Sequence, residues 1–235
     1  MRKMDVLNRG FGGYTTEWCL PLFERIFAKK ERQAGLPPVK LVTIWFGAND
    51  ASVPGTAQSV PLEKYVDNLN YYISSLVEPS SDYYQPEARV ILITPPPFVM
   101  SMRLEQPLPP HLPKEQQGKE RDLERTRKFK DACLSVGNEW SQKTSGKVQS
   151  LDFWKLVVDT VGSENDNDLR PLFTDGLHLQ PKAYRVLFDE LMKLVVTLRW
   201  EDLDPAKMKM TVPRYVASTG CWEWYTVPPM LNRKA

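Results

Sequence analysis

VKLVTIWF (39–46) and ARVILIT (88–94) are nearly unbroken apolar runs, each only strand-length and rich in Val, Ile and Leu. A strand with one face in water alternates apolar and polar residues, whereas one covered on both faces reads as continuous hydrophobicity. These two stretches therefore predict strands buried inside a parallel sheet. KMDVLN (3–8) and KVQSLDF (147–153) have the same β-rich character and predict two more. Helical patterns lie between them. In 61–77, Pro61 suits a first helical position, and Leu62, Tyr65, Val66, Leu69, Ile73 and Leu76 share one face. In 119–140, Leu123, Phe129, Cys133, Val136 and Trp140 form a weaker stripe, and residues 16–34 read as helical with Pro21 near the first turn. In 181–198, Pro181 opens a helix whose Tyr184, Leu187, Phe188, Leu191, Leu194, Val195 and Leu198 are expected to face inward. Strands alternating with helices imply βαβ units, a parallel sheet and helices on both of its faces.

The composition is that of a globular chain. Of 235 residues, 42% are hydrophobic and 26% charged, and the formal net charge is +2, which gives no electrostatic reason to expect a nucleic-acid or membrane partner. A chain of this length can bury roughly 70% of its unfolded surface in one domain, and no internal repeat or linker divides it, so a single domain over 1–235 is expected. Cys19, Cys133 and Cys221 are too few and too scattered for a disulfide framework. With no apolar run of signal-peptide or membrane-spanning length, the reading is a soluble, cytoplasmic protein. The proline-laden stretch 94–113 is expected to be a surface loop after the third strand, either walling a site or merely solvated. The tail 203–235, with Trp222, Trp224 and Tyr225, is expected to pack on the domain.

Residues suited to chemistry collect where strands end. NRGFGGYTT (8–16) follows the first run, and its glycines allow a sharp turn with exposed N–H groups ahead of a helix that Thr15 or Thr16 would cap. It lacks the spacing of a dinucleotide fingerprint, and a Gly-rich strand-to-helix turn taken alone is more often just a turn. WFGANDA (45–51) follows the second run, and Asn49 there either donates an amide hydrogen bond into a crevice or closes an Asx-turn. TDGLH (174–178) sets Asp175 three residues before His178, close enough in a tight turn for the carboxylate to fix the imidazole tautomer. The other histidine, His111, falls in the proline-rich loop. A metal site on Asp175 and His178 would lack further ligands.

Together NRGFGGYT, GANDA and TDGLHLQPKAYRVLFDELMKLV resemble three of the four signature blocks of the SGNH, or GDSL-type, ester hydrolases, and most closely the isoamyl acetate-hydrolysing branch. The resemblance runs from about residue 2 to about 215. It implies a flavodoxin-like three-layer α/β/α sandwich without metal or organic cofactor. It also implies His178 as general base, Asp175 as its orienting partner, and Gly13 (backbone N–H) and Asn49 (side chain) as oxyanion-hole donors. The implied partner is a small-molecule ester, and a homodimer is an assembly it allows.

The fourth block, Gly-Asp-Ser, carries the nucleophile at the end of the family's first strand, and it does not occur in these residues. Ser52, Ser74, Ser75 and Ser101 do not sit between a strand and a helix as an exposed nucleophile should. Cys19 reads as a buried helix residue, and Thr15 and Thr16 as caps. The expectation is a chain lacking a central strand and its serine, by truncation at the front or by a real loss that leaves a non-catalytic binder of acyl or ester ligands. Truncation is favoured, because deleting a central strand removes several apolar side chains at about 1.5–3 kcal/mol each, a sum comparable with a domain's whole stability of about 5–15 kcal/mol.

Overall fold

A computed structural model of the protein describes residues 4–107, 120–204 and 207, with the backbone of 214–216 and 221–223. Its contacts divide the chain into two units, Phe11–Phe188 and a second made of 1–10 with 189–235. The larger unit holds a parallel sheet of three strands in the order β1 (Leu41–Trp45), β2 (Arg89–Ile93), β3 (Val148–Leu151). The strands are those expected from the apolar runs, trimmed by a few residues at their ends. Val90 to Ile93 of the middle strand are almost completely buried, as continuous hydrophobicity requires of a strand covered on both faces.

Register separates the two faces. Val90 and Leu92 share one face with Ile44 of β1 and Val148 and Ser150 of β3. Against it lie α3 (Leu62–Val77) and α5 (Leu123–Lys143), with α1 (Thr16–Cys19) packed on α3. Tyr65, Leu69, Ile73 and Leu76 of α3, and Phe129, Cys133, Val136 and Trp140 of α5, fill this core, so the predicted stripes hold. Pro61 is the N-cap of α3 and not its first residue. Gly137 lets α5 approach the sheet closely, since a Cβ there would stand 2.6 Å from Cβ of Ser150. On the opposite face Trp45 meets Phe153, the first residue of α6 (Phe153–Val161), at 5.5 Å between ring centroids. It also meets Tyr184 near the start of α8 (Pro181–Thr197), the helix that follows the short α7 (Asp166–Leu169), at 6.4 Å.

Several expectations fail. Residues 4–8 form no strand, and Val6 and Leu7 are 92% and 68% exposed. A β-rich run makes no hydrogen bonds within itself and becomes a strand only where a neighbour supplies the ladder. Among the described residues β1 is an edge strand paired on one side only. The helix expected over 16–34 is shorter and broken. Pro21 turns Leu20–Leu22 into a 3-10 turn between α1 and α2 (Phe23–Ile26), and Phe27 is extended. The 94–113 stretch is not all loop, because its proline-free section between Pro97 and Pro107 folds as α4 (Met100–Glu105). Tyr184 and Phe188, expected inward on α8, are 51% and 49% exposed, for an apolar stripe fixes a face and not what covers it. In the smaller unit the backbone of β4 (Arg214–Val216) pairs antiparallel with β5 (Cys221–Glu223). His111, Trp224 and Tyr225 lie outside the described residues.

Candidate active site

The turn 173–179 is closed at its base by an antiparallel bridge between Phe173 and Leu179 and by Thr174 N–H donating to His178 O at 2.7 Å. Within it Asp175 does two things. Its Oδ1 accepts the backbone N–H groups of Leu177 and His178 at 2.9 and 2.8 Å, and its Oδ2 lies 2.8 Å from Nδ1 of the His178 ring. Three-residue spacing works because the carboxylate caps the turn that carries the histidine. Gly176 permits this shape at φ +86° and contributes no side chain. Its carbonyl accepts Val99 N–H at 2.8 Å, seating the turn on the start of α4.

The electrostatics follow from these contacts. Partial burial would raise the Asp175 carboxyl, but the two backbone N–H groups and the His178 ring outweigh it and hold the carboxyl down at about 2. Near neutrality Asp175 is therefore ionised, so Nδ1 carries the proton and donates. Nε2 has no partner among the described residues, on a side chain that is 75% exposed, against 23% for Asp175. Arg103 approaches the same carboxylate, Nη1 to Oδ2, at 3.8 Å.

The Asn49 and Gly13 loops form a second cluster. Asn49 Nδ2 donates to Tyr14 O at 3.0 Å, and its Oδ1 accepts from Arg121 Nη2 at 3.2 Å. Gln58 Nε2 donates to Gly13 O at 2.7 Å. Gly13 sits at φ +79° on an exposed turn, and among the described residues no acceptor meets its N–H. Beneath them Asp50, fully buried, accepts Thr16 N–H at 2.8 Å, the Thr16 hydroxyl at 2.5 Å and Gly47 N–H at 3.2 Å. Burial raises its carboxyl, and those donors only partly offset the rise. Asp50 thus latches the start of α1 to the loop after β1. Thr15 is the cap, its hydroxyl accepting Trp18 N–H at 3.2 Å, while Thr16 serves the latch.

Of the four predicted residues, Asp175 bonds to His178, while Asn49 bonds to the carbonyl of Tyr14, the residue after Gly13; Arg103, Glu120 and Arg121 run between the two groups. Sequence reading missed those three and the latch role of Asp50. Arg103, Glu120 and Arg121 lie in none of the quoted motifs, and Asp50, although inside GANDA, shows its grip on Thr16 only in the fold. No serine meets the imidazole: among the described residues the His178 ring has Asp175 as its partner. Ser52 Oγ is buried without a partner among the described residues, the Ser101 hydroxyl accepts from Arg170, and Ser74 donates to Tyr71 O on its own helix. Among the described residues no three of His, Cys, Asp and Glu gather as a metal site, and no helix is long and apolar enough to cross a membrane.

The model of the GDSL-like lipase/acylhydrolase family matches residues 2–186. An isoamyl acetate-hydrolyzing esterase 1 homolog of Bos taurus is 35% identical over 201 residues, 83% of this chain and 70% of that protein. A GDSL esterase/lipase of Arabidopsis thaliana is 33% identical, covering 91% of this chain and 80% of its own. The isoamyl acetate-hydrolyzing esterase of Saccharomyces cerevisiae is 31% identical, covering 83% and 71%. In fold the chain is like an aryl esterase of M. smegmatis, with a TM-score of 0.53 at 19% identity over 83% of this chain and 79% of that one. The same fold recurs in a carbohydrate acetylesterase of Sinorhizobium meliloti, at TM-score 0.51 and 16% identity over 82% and 78%. With more than half its length matched and relatives above 30% identity, this chain belongs to the GDSL-like lipase/acylhydrolase family of ester hydrolases.

Proposed function

We propose that these residues are the acid–base and oxyanion-binding parts of a serine ester hydrolase acting on small acetate-type esters, and that the 235-residue chain by itself does not turn them over. The observation that carries the reading is the His178 ring, exposed at Nε2 and fixed at Nδ1 by an ionised Asp175. In the reaction, a serine hydroxyl gives its proton to His178 Nε2 while its oxygen bonds to the ester carbonyl carbon. The carbonyl oxygen becomes an oxyanion held by Gly13 N–H and by the second Nδ2 hydrogen of Asn49. Collapse breaks the bond to the alcohol, which leaves with the proton from His178, and water then hydrolyses the acyl-serine by the same relay. The acetate preference rests on the names of the relatives alone.

The proposal has the serine supplied from outside the described residues, among which none meets the imidazole. The test compares the chain with a version preceded by a strand ending in Gly-Asp-Ser, using p-nitrophenyl acetate. The extended version is expected to hydrolyse it, with His178→Ala reducing the rate by about 10³-fold or more. Near-normal turnover in that variant would remove His178 as the base. The second reading, an acyl- or ester-binding protein without turnover, is favoured by the His178 ring having Asp175 and no serine as its partner among the described residues. It predicts saturable binding of a small acetate ester with no product in either version.

A further inference from the structure

Asn49 and Asp175 belong to different motifs, yet one dipeptide reaches both. Glu120 and Arg121 stand just ahead of Asp122, the N-cap of α5, and Val53 N–H donates to Glu120 O at 3.1 Å. Arg121 is 8% exposed; its Nη1 donates to Ala48 O and its Nη2 to Asn49 Oδ1 at 3.2 Å. Glu120 Oε1 accepts Arg103 Nη2 at 3.1 Å, and the same guanidinium stands 3.8 Å from Asp175. We propose that Glu120 and Arg121 are positioning residues, Arg121 setting the direction of the Asn49 amide and Glu120 aiming Arg103 at Asp175.

The chemistry of the groups gives each arm its direction. A guanidinium only donates, so the oxygen of the Asn49 amide must face Arg121. That leaves Nδ2 turned toward Tyr14 O and the Gly13 loop, the side where an oxyanion would need it. Glu120 is the nearer acceptor for Arg103, so the cation is shared and lies at a stand-off from Asp175, whose ring contact with His178 stays short.

Stability alone does not explain this placement. Nε of Arg121 and Nε of Arg103 are both buried without a partner among the described residues, an arrangement that is unfavourable for each group. Burial and the neighbouring Arg103 also push Arg121 down to about 10. Arg125 shows what a purely structural brace on this loop looks like. Its Nε donates to Ser52 O at 3.1 Å and its Nη2 to Val60 O at 2.8 Å, and its guanidinium covers the Phe129 ring at 5.0 Å.

The inference rests on the roles given above to Asn49 and to the Asp175–His178 pair, but its test needs no hydrolysis. Hydrogen exchange is measured by NMR on the full 235-residue chain, with the Asn49 side-chain amide identified by its loss in Asn49→Asp. Arg121→Met is expected to speed exchange of Asn49 Nδ2 by about tenfold, the equivalent of one lost hydrogen bond, and to leave the Leu177 and His178 amides unchanged. Glu120→Gln is expected to do the reverse, and Arg125→Met to move neither set while still lowering the melting temperature. Should Arg121→Met fail to fold, Arg121→Lys, which keeps the charge but reaches only one acceptor, is read on the same signals. Unchanged Asn49 exchange in the Arg121 variants, unchanged Leu177 and His178 exchange in Glu120→Gln, or an equal response at both places to any one variant would overturn the proposal. If the hydrolysis test fails while this crossed pattern holds, the catalytic reading falls and the brace remains.

Discussion

Replacing Gly176 by alanine should dislodge the Asp175–His178 turn. The residue sits at φ +86°, where an L side chain costs roughly 1–2 kcal/mol. The added methyl would also stand 2.4 Å from Val99 O, 3.0 Å from Met102 Cβ and 3.1 Å from Arg103 N, and two of those three are backbone atoms that cannot swing away. Overpacking of this kind costs about 1–3 kcal/mol. The two effects together amount to about 2–5 kcal/mol, and at roughly 2–4 °C per kcal/mol a central loss of 3 kcal/mol lowers the melting temperature by roughly 6–12 °C. Gly162 supplies the internal reference. It ends α6 at φ +74°, and a methyl placed on it would have nothing within 4 Å, so Gly162→Ala carries the backbone strain without the clash. Thermal unfolding followed by circular dichroism on both variants isolates the clash as the difference between them. Equal shifts for Gly176→Ala and Gly162→Ala would refute the claim that the turn is wedged against α4.

Two further outcomes are expected. Asp175 is held at about 2 in the folded chain, below about 3.9 when unfolded, so its contribution to stability is present above the unfolded value and drains away as the pH falls from about 4 toward 2. Urea unfolding free energies should fall less steeply over that window in Asp175→Asn, and an identical slope would contradict the hydrogen bonds given to this carboxylate. At Gly137 a methyl would meet Ser150 Cβ at 2.6 Å, so Gly137→Ala should lower the urea midpoint although alanine favours a helix by about 1 kcal/mol. In a Ser150→Gly background the sign should reverse, and failure to reverse would mean that α5 is not seated on β3 as described.

The sheet and its principal helices are legible in the sequence because their signal is local: continuous apolar runs for β1 and β2, a 3.6-residue stripe for α3 and α5. The run at 3–8 misleads because a strand's partner is not local. Val6 and Leu7 have strand-forming side chains, but nothing in a hexapeptide says which backbone will accept its hydrogen bonds. Tyr184 and Phe188 fail likewise, as the stripe cannot say whether anything lies over it. At the site, Asp175 and His178 are readable because one turn contains the whole interaction. Arg121 and Glu120 are not, since their partners are about 70 residues away for Asn49 and 17 for Arg103, and no motif marks a residue whose role is to hold another motif's side chain. Asp50 is legible only as a member of its block; that it grips Thr16 depends on the tertiary approach of α1.

The arrangement of the turn itself bears on whether the site turns over or merely binds. A crevice that only holds an ester has no use for an imidazole that projects into water, and a histidine there would more simply be buried or replaced. Here the chain accepts a left-handed glycine wedged beneath Val99 and commits both oxygens of one carboxylate, one to two backbone N–H groups and one to a ring nitrogen. The first oxygen fixes the turn. The second fixes which nitrogen holds the proton, a property with no consequence for an apolar ligand and a direct one for proton transfer. A tautomer specified this closely on an exposed ring suits the role of base proposed for His178, so the His178→Ala comparison in the serine-bearing version weighs the two readings more sharply than any measurement of affinity.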